Sequence, residues 1–270
     1  MDKDLRVLQQ HRMSHPISGR PFRALPIGTK RMNEILDGII RAFQMIFTGD
    51  PTVYGVVYRT LFFSGVATML AVLWATPIAM LISLKDFRGK SIIKSFFTAM
   101  IGMPTVVLGL ILFLFFTKAG PLGFLGLLFT PGAVILGEAV LVTPLIVSIA
   151  INAIEAVDPE MLNLARTLGA SESQASITVL KEALTGIIFS DVAGFNRAIA
   201  ELGVALMVGG NIAGLTDVLT TDISKFTSRG DFATAIALGI ILLVIVFGIN
   251  LIIIIARNPR ALLTLGRMPQ

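Results

Sequence analysis

The sequence predicts an all-α integral membrane protein with about five membrane-spanning helices and an amphipathic helix near its start. Of the 270 residues, 54% are hydrophobic and 14% are charged, whereas an average soluble domain has roughly 25% charged residues. The mean hydropathy is +0.84. We therefore expect a multi-pass protein of the cell (inner or plasma) membrane, with the lipid bilayer as its surroundings.

Five long runs of mainly uncharged residues are the predicted membrane spans. They lie at residues 60–84, 95–117, 132–154, 185–209 and 232–256. A helix rises about 1.5 Å per residue, so each run can cross a hydrocarbon core of ~30 Å. We expect kinks at Pro77 and Pro144, and the second span to be broken by Gly102 and Pro104, because proline removes a backbone donor inside a helix.

A basic tail and a predicted amphipathic helix precede the spans. Residues 1–31 contain seven Lys and Arg against two Asp, which accounts for the whole net charge of +5. We expect this tail to be flexible and see no reason to expect nucleic acid binding. In residues 32–50, polar residues recur at helical spacing opposite a wide apolar face, which is typical of an interfacial helix. The alternative is a sixth span whose polar face packs against its neighbours.

Basic residues near the ends of the spans predict the orientation of the chain. The loop after the first span contains four basic residues and one acid, namely Lys85, Arg88, Lys90, Lys94 and Asp86. The C-terminal tail, residues 258–270, contains two arginines and no acid. We therefore place this loop, this tail and the polar segment 155–182 in the cytoplasm. With five spans the basic N-terminal tail lies outside, and a crossing helix at 32–50 would bring it inside.

The polar segment 155–182 lies between two apolar runs and is compatible with helix throughout. Gly169 lies where a first helix must end, because glycine adopts the left-handed conformation without penalty. Ser171 can cap a second helix. The sequence therefore predicts two short cytoplasmic helices joined by a tight turn, and the rest of residues 51–257 forms the transmembrane domain.

This turn resembles the coupling loop of ABC-importer permeases, in which a Glu-Ala-Ala triplet precedes a glycine and an Ile-x-Leu-Pro segment follows it. The matching positions are Ala165, Gly169, Ile177 and Leu180, and the departures are Asn163, Leu164 and Lys181. Residues 102–109, 127–131 and 197–211 are similar to the oxyanion branch of these permeases, which includes molybdate, sulfate and tungstate importers. Residues 83–90 and 39–50 are most similar to the tungstate transporter permease.

The resemblance implies a type I ABC importer fold and the import of an oxyanion, with tungstate ahead of molybdate or sulfate. It implies a second copy of the chain, two ATP-binding subunits at the coupling loop and an extracytoplasmic oxyanion-binding protein as partners. The implied ATPase contacts are Asn163, Leu164, Ala165, Arg166, Gly169, Ala170 and Ser171. No G-x-x-x-x-G-K-[ST] motif occurs, so ATP and Mg²⁺ are expected on a separate subunit, and we expect this chain to be non-catalytic.

No cofactor or metal site is expected in this chain, because it has no cysteine and only two histidines, both in the N-terminal tail. The candidate pathway or gate residues are Pro104, Thr105, Ser190, Asn196, Arg197, Glu201 and Asn211. Arg197 and Glu201 are four residues apart, so they either face an anion pathway or form a structural ion pair. We favour the ion pair because the two charges largely cancel.

A secondary transporter driven by an ion gradient is the alternative function of a different class. Such transporters are commonly built from internal repeats with discontinuous helices at matching positions. The sequence shows no convincing repeat, and five spans divide poorly into two halves.

Overall fold

The computed structural model describes residues 27–48 and 50–257, which form ten α-helices and one short 3-10 helix. The helices are α1 (Ile27–Thr48), α2 (Pro51–Leu84), α3 (Lys90–Ile101), α4 (Thr105–Phe116), α5 (Pro131–Glu155), α6 (Pro159–Thr167), α7 (Glu172–Ile199), α8 (Gly203–Gly209), α9 (Leu219–Ser228) and α10 (Phe232–Arg257), and the 3-10 helix is Gly123–Leu125. The predicted C-terminal tail, 258–270, and residues 1–26 of the predicted flexible tail lie outside the described residues.

The membrane spans agree with the prediction of about five. The helices α2, α5 and α10 are each long and apolar enough to cross a membrane. Two bent helix pairs, α3 with α4 and α7 with α8, bring the number to five if each pair is one span. The described residues contain no β-strand, so the all-α class is confirmed.

The second span is broken at Gly102 and Pro104, as the sequence predicts. The helices α3 and α4 meet at an angle of 99°, a much sharper break than a kink. Gly102 ends α3 with its amide bonded to the carbonyl of Ala99. Pro104 has no amide proton and disfavours helical geometry in the residue before it, so the helix restarts only at Thr105.

The core lies where α5 packs between α2 and α7. On α2, Ala67, Ala71, Ala75 and Ala79 recur at every fourth position and are fully buried. Small side chains at this spacing let two helices approach closely in a membrane. Gly194 on α7 allows the same, since a Cβ atom there would come within 2.6 Å of Ile146. The three helices therefore form one closely packed unit.

The first helix, α1, packs against the start of α10. A Cβ atom on Gly38 would come within 2.6 Å of Ile236, so glycine is required for this close approach. Nη1 of Arg41 donates to the hydroxyl of Thr234 at 2.6 Å and lies 3.4 Å from Asp231. The helix begins at Ile27, five residues before the predicted segment 32–50. Its location in the membrane interface stays a prediction.

Candidate functional site

The turn between α6 and α7 has the helix end and helix start that its sequence predicts. Asp158 caps α6, because its Oδ1 accepts the amide of Glu160 at 2.9 Å. At the other end of α6, the amide of Ala170 donates to the carbonyl of Ala165 at 3.0 Å. Gly169 has φ +87°, which is the left-handed conformation that glycine adopts at a helix end.

Side-chain contacts fix the direction in which α7 leaves the turn. Ser171 and Gln174 form a capping box, in which each side chain accepts the backbone amide of the other residue. Nη2 of Arg166 lies 2.9 Å from the carboxylate of Glu172. These contacts satisfy backbone donors that the start of a helix would otherwise leave open.

The prediction of a second short helix after this turn is wrong. The helix α7 continues from Glu172 to Ile199 without interruption, over 28 residues, or about 42 Å. Residues 172–199 contain no proline, and Gly186 and Gly194 pack closely against α5. One continuous helix therefore connects this turn with the break between α7 and α8.

The water-facing side of the turn carries large apolar side chains. Leu164 is 55% exposed and Leu168 is 80% exposed. These two leucines are four residues apart, which places them on one side of the helix end, whereas Ala165 is buried. Exposed apolar side chains that cluster in this way mark a contact surface for another protein. The sequence interpretation missed Leu168, although its spacing from Leu164 is visible in the sequence.

The predicted pair of Arg197 and Glu201 lies where the fourth span breaks. Nη1 of Arg197 is 3.2 Å from Oε2 of Glu201, and Oε1 of Glu201 accepts the amide of Val204 at 2.9 Å. The Glu201 side chain is 1% exposed and that of Arg197 is 36% exposed. Glu201 lies after the end of α7 rather than within it, and it caps the short helix α8. The pair therefore has a clear structural use.

Two other predicted pathway residues also have internal partners. Asn196 and Asn250 exchange side-chain hydrogen bonds of 2.7 and 2.9 Å, which join α7 to α10. The hydroxyl of Ser190 is buried and donates to the carbonyl of Ile187 at 2.6 Å.

Asn211 belongs to a tight turn at the outer end of α8. It adopts φ +49° after Gly210, which has φ +70°. Its side-chain oxygen accepts the hydroxyl of Thr221 at 2.8 Å. Asn211 therefore joins the turn to α9.

Pro104 and Thr105 lie at the break of the second span, and this break touches the break of the fourth. A Cβ atom on Gly203, the first residue of α8, would come within 2.5 Å of the hydroxyl oxygen of Thr105. A Cβ on Gly109 would come within 2.9 Å of Met207. The two broken spans therefore contact each other at glycines. Broken helices are tolerated within a membrane where they are buried in protein or line a cavity.

Comparison of the sequence with known protein families identifies the family of this chain. A profile of the family described as "binding-protein-dependent transport system inner membrane component" matches residues 67–258, well over half of the chain. The chain belongs to this family. It is therefore an integral membrane component of a transport system.

Two relatives extend the similarity over most of the chain. The tungstate uptake system permease protein TupB of Peptoclostridium acidaminophilum is 35% identical over 222 residues, which cover 82% of this chain and 97% of that relative. A probable anion ABC transporter permease protein of Haloferax volcanii is 37% identical over 196 residues, which cover 71% of this chain and 84% of the relative.

A solved structure has the same fold. The crystal structure of an amino acid ABC transporter with histidines matches with a TM-score of 0.58 and 20% sequence identity, over 78% of this chain and 94% of the other. The likeness places the helices in the architecture of ABC transporter permeases, which the sequence predicts.

Proposed function

We propose that this chain is the transmembrane permease of an ATP-driven importer for an oxyanion, with tungstate as the first candidate. The similarity to a tungstate uptake permease and to an anion ABC permease supports this cargo class. The observation that carries the mechanism is the exposed cytoplasmic turn, which continues directly into the membrane as α7.

The ATP-binding subunit docks on the exposed side of α6. Leu164 and Leu168 supply the apolar contact. Gly169, Ser171 and the Arg166–Glu172 ion pair keep the turn in one shape. A turn with a fixed conformation transmits force better than a flexible loop. Movement of the ATPase subunit therefore moves α7 as a unit.

The inner end of α7 is where this movement changes the pathway. The helix ends at Ile199, and α8 starts at Gly203, against the break between α3 and α4. A shift of α7 along its axis therefore displaces the contact between the two broken spans. Small movements at such packed contacts produce switches between discrete arrangements, here between a pathway open to the outside and one open to the cytoplasm.

A second copy of the chain completes the pathway, and a binding protein delivers the anion from outside. The helix α4 has six large exposed apolar residues, Val106, Val107, Leu110, Ile111, Leu114 and Phe115. We place α4 at the contact between the two copies. ATP and Mg²⁺ bind to the ATPase subunits.

Reconstitution tests the proposal. The permease is inserted into vesicles with its ATPase subunits and binding protein, and uptake of tungstate, molybdate and sulfate is measured with and without ATP. We expect ATP-dependent uptake of tungstate first. Uptake that persists without the ATPase subunits would support an ion-gradient transporter instead.

Docking is tested separately with Leu168→Glu. We expect the ATPase subunit to lose at least about tenfold in affinity, since a charge replaces an apolar anchor at a protein contact. The matched control is Leu215→Glu, an exposed leucine in the loop between α8 and α9, outside the predicted spans. Equal ATPase binding by Leu168→Glu and the unchanged chain would remove the turn as the docking site.

A further inference from the structure

Polar side chains line an open seam between α3 and α5 on the cytoplasmic half of the protein. The hydroxyls of Thr98 on α3 and Ser148 on α5 lie 3.2 Å apart. Asn152, about one helical turn further toward the cytoplasm on α5, is exposed. Lys94 lies one turn below Thr98, and its ammonium group contacts Glu155. We call Lys94, Thr98, Ser148 and Asn152 the polar seam.

The polar seam is unsuited to contact with lipid tails. Ser148 is seven residues from the end of α5, and therefore about 10 Å inside the protein measured along the helix. Lipid tails offer no hydrogen-bond partner, so an exposed amide or hydroxyl at this depth costs free energy. The polar seam must therefore face either water or another protein surface.

The polarity of α3 ends at the bend. On α3, Ser91, Lys94, Ser95 and Thr98 recur at helical spacing, which places them on one side. Beyond the bend, α4 is apolar over its whole length except for Thr105 at its first position. The polar residues of α3 therefore run from the cytoplasmic side as far as Thr98, about one turn before the bend, and the contact between the two broken spans lies beyond them.

The cytoplasmic mouth of the seam holds two ammonium groups that are paired with carboxylates. Lys90 lies 3.5 Å from Glu155, the residue that Lys94 also contacts. Lys90 also lies 3.6 Å from Asp86, so these four side chains together carry no net charge. The ammonium group of Lys90 donates to the carbonyl of Ser83 at 2.8 Å, which attaches the mouth to the end of α2. Such a mouth offers cations to an anion, while the paired carboxylates weaken their attraction.

We propose that the polar seam is the cytoplasmic half of the anion's route through the protein, an assignment that rests on the proposed function. Ser148 supplies a hydroxyl donor and Asn152 an amide donor, which replace part of the water around an oxyanion. Thr98 donates its hydroxyl to the carbonyl of Lys94 at 3.0 Å, which positions its oxygen beside Ser148. Lys90 and Lys94 draw the anion toward the cytoplasm, and the carboxylates paired with them weaken their hold so that the anion leaves.

The absence of cysteine from the chain permits a direct test. Thr98→Cys, Ser148→Cys and Asn152→Cys are made singly in the complete transporter, and an anionic methanethiosulfonate reagent is applied from the side of the ATPase. The matched control is Leu251→Cys, which is exposed on α10 and lies six residues from the end of that helix, a depth similar to that of Ser148.

We expect the three seam cysteines to react at least about tenfold faster than the control, because the reaction needs a hydrated thiolate. We also expect the seam cysteines to react faster with the anionic reagent than with a cationic reagent of the same size. Tungstate in excess should slow the reaction with the anionic reagent. Seam cysteines that react no faster than the Leu251 control would overturn the proposal. So would disulfide crosslinks between seam cysteines of two copies without reagent access, because the second copy would then cover the seam.

Transport by the same samples separates this proposal from the proposed function. If uptake of oxyanions is observed while the seam cysteines stay unreactive, only the seam assignment fails. If the seam cysteines react but no oxyanion is transported or slows the reaction, the cargo assignment fails and the anion route fails with it.

Isosteric substitutions give a second measurement. Combining Thr98→Val with Ser148→Ala removes both hydroxyls and should lower the uptake rate about tenfold, because the Ser148 donor to the charged cargo and the hydroxyl that positions it are both lost. The control is Thr68→Val, because the buried hydroxyl of Thr68 donates to the carbonyl of Ser64 within α2. Unchanged uptake in the double variant would contradict a role of these hydroxyls in the route.

Discussion

The two ends of α7 are built in opposite ways. At the cytoplasmic end, a turn of Gly169, Ser171 and neighbouring residues leaves Leu164 and Leu168 exposed to water. At the inner end, the charges and amides of Arg197, Glu201 and Asn196 bond within the fold. The polar side chains at the inner end therefore stabilise the fold. The exposed leucines at the other end are, in the proposed function, the contact with the ATPase subunit.

This contrast shows that a polar side chain in a membrane span should be interpreted from its hydrogen-bond partners. Its rarity in such a span does not by itself indicate a function. A charge inside a membrane is costly and therefore usually paired, so its presence alone does not mark a pathway. An apolar pair left exposed at a helix end, by contrast, is available to a partner protein. Breaking each end of α7 should consequently have different results: loss of coupling at the turn, and loss of stability at the inner end.

The largest effect is expected from Gly169→Pro. Proline fixes φ near −65° and removes an amide proton, whereas Gly169 has φ +87° and donates its amide to the carbonyl of Arg166 at 3.0 Å. The turn must then change shape, at a cost of about 3 kcal/mol. We expect ATP-dependent uptake to fall to background, measured in vesicles, while the chain remains folded in the membrane.

Gly230→Pro is the matched control for this variant. Gly230 also has positive φ, +78°, and its amide donates to the carbonyl of Thr227 at 3.1 Å. It follows α9, at the opposite end of the spans from the cytoplasmic turn. If both variants abolish uptake equally, the effect comes from misfolding; if Gly169→Pro transports normally, the turn does not couple ATP hydrolysis to transport.

At the inner end, Glu201→Ala should give the largest loss of stability. The substitution leaves Arg197 without its carboxylate and the amide of Val204 without its acceptor. Breaking one side of a buried ion pair costs about 3–5 kcal/mol, and the partial exposure of Arg197 favours the lower value. The thermal unfolding midpoint in detergent measures this loss.

Glu201→Gln sharpens the same experiment. Glutamine retains an oxygen that can accept the amide of Val204, so we expect a smaller loss than with alanine. A variant at Glu201 that keeps its unfolding midpoint but changes the ratio of tungstate to sulfate uptake would instead assign Glu201 to the pathway.

Local signals in the sequence predicted the cytoplasmic turn well. Gly169 and Ser171 act through the backbone of their own segment, so the helix end and the helix start follow from residues near in sequence. The bend at Gly102 and Pro104 was visible for the same reason. Its angle of 99° was not, because that angle depends on how α4 packs against α8.

Tertiary contacts explain what the sequence interpretation could not predict. The side chain of Asn196 forms a hydrogen bond with Asn250, which is 54 residues further along the chain. No pattern of neighbouring residues predicts that pair. The continuity of α7 likewise depends on α5, against which Gly186 and Gly194 pack. The seam was missed because Thr98 and Ser148 lie 50 residues apart and become neighbours only when α3 packs on α5.

A smaller effect is expected from breaking the Asn196–Asn250 pair. Hydrogen bonds between helices in a membrane contribute about 0.6 kcal/mol on average in double-mutant cycles. We expect a double-mutant cycle of Asn196→Ala and Asn250→Ala to give a coupling of this size in the unfolding free energy. Additive losses would mean that each amide acts alone, for example through the bond of Asn250 to the carbonyl of Val246 at 2.8 Å.

The smallest effect concerns Asp231, at the outer contact of α10 with α1. The hydroxyl of Thr234 and then its amide lower the pKa of Asp231 from its ordinary 3.8, with a smaller contribution from Arg41. The resulting stabilisation is present in full above that ordinary pKa and is lost as the pH falls through the lower pKa of the folded protein. Because the side chain is 42% exposed, we expect less than about 1 kcal/mol. Asp231→Asn retains a helix cap without the charge, so its unfolding midpoint should lie slightly below that of the unchanged chain at neutral pH and meet it in acid. A difference that stays constant into acid would show that the charge of Asp231 does not stabilise this contact.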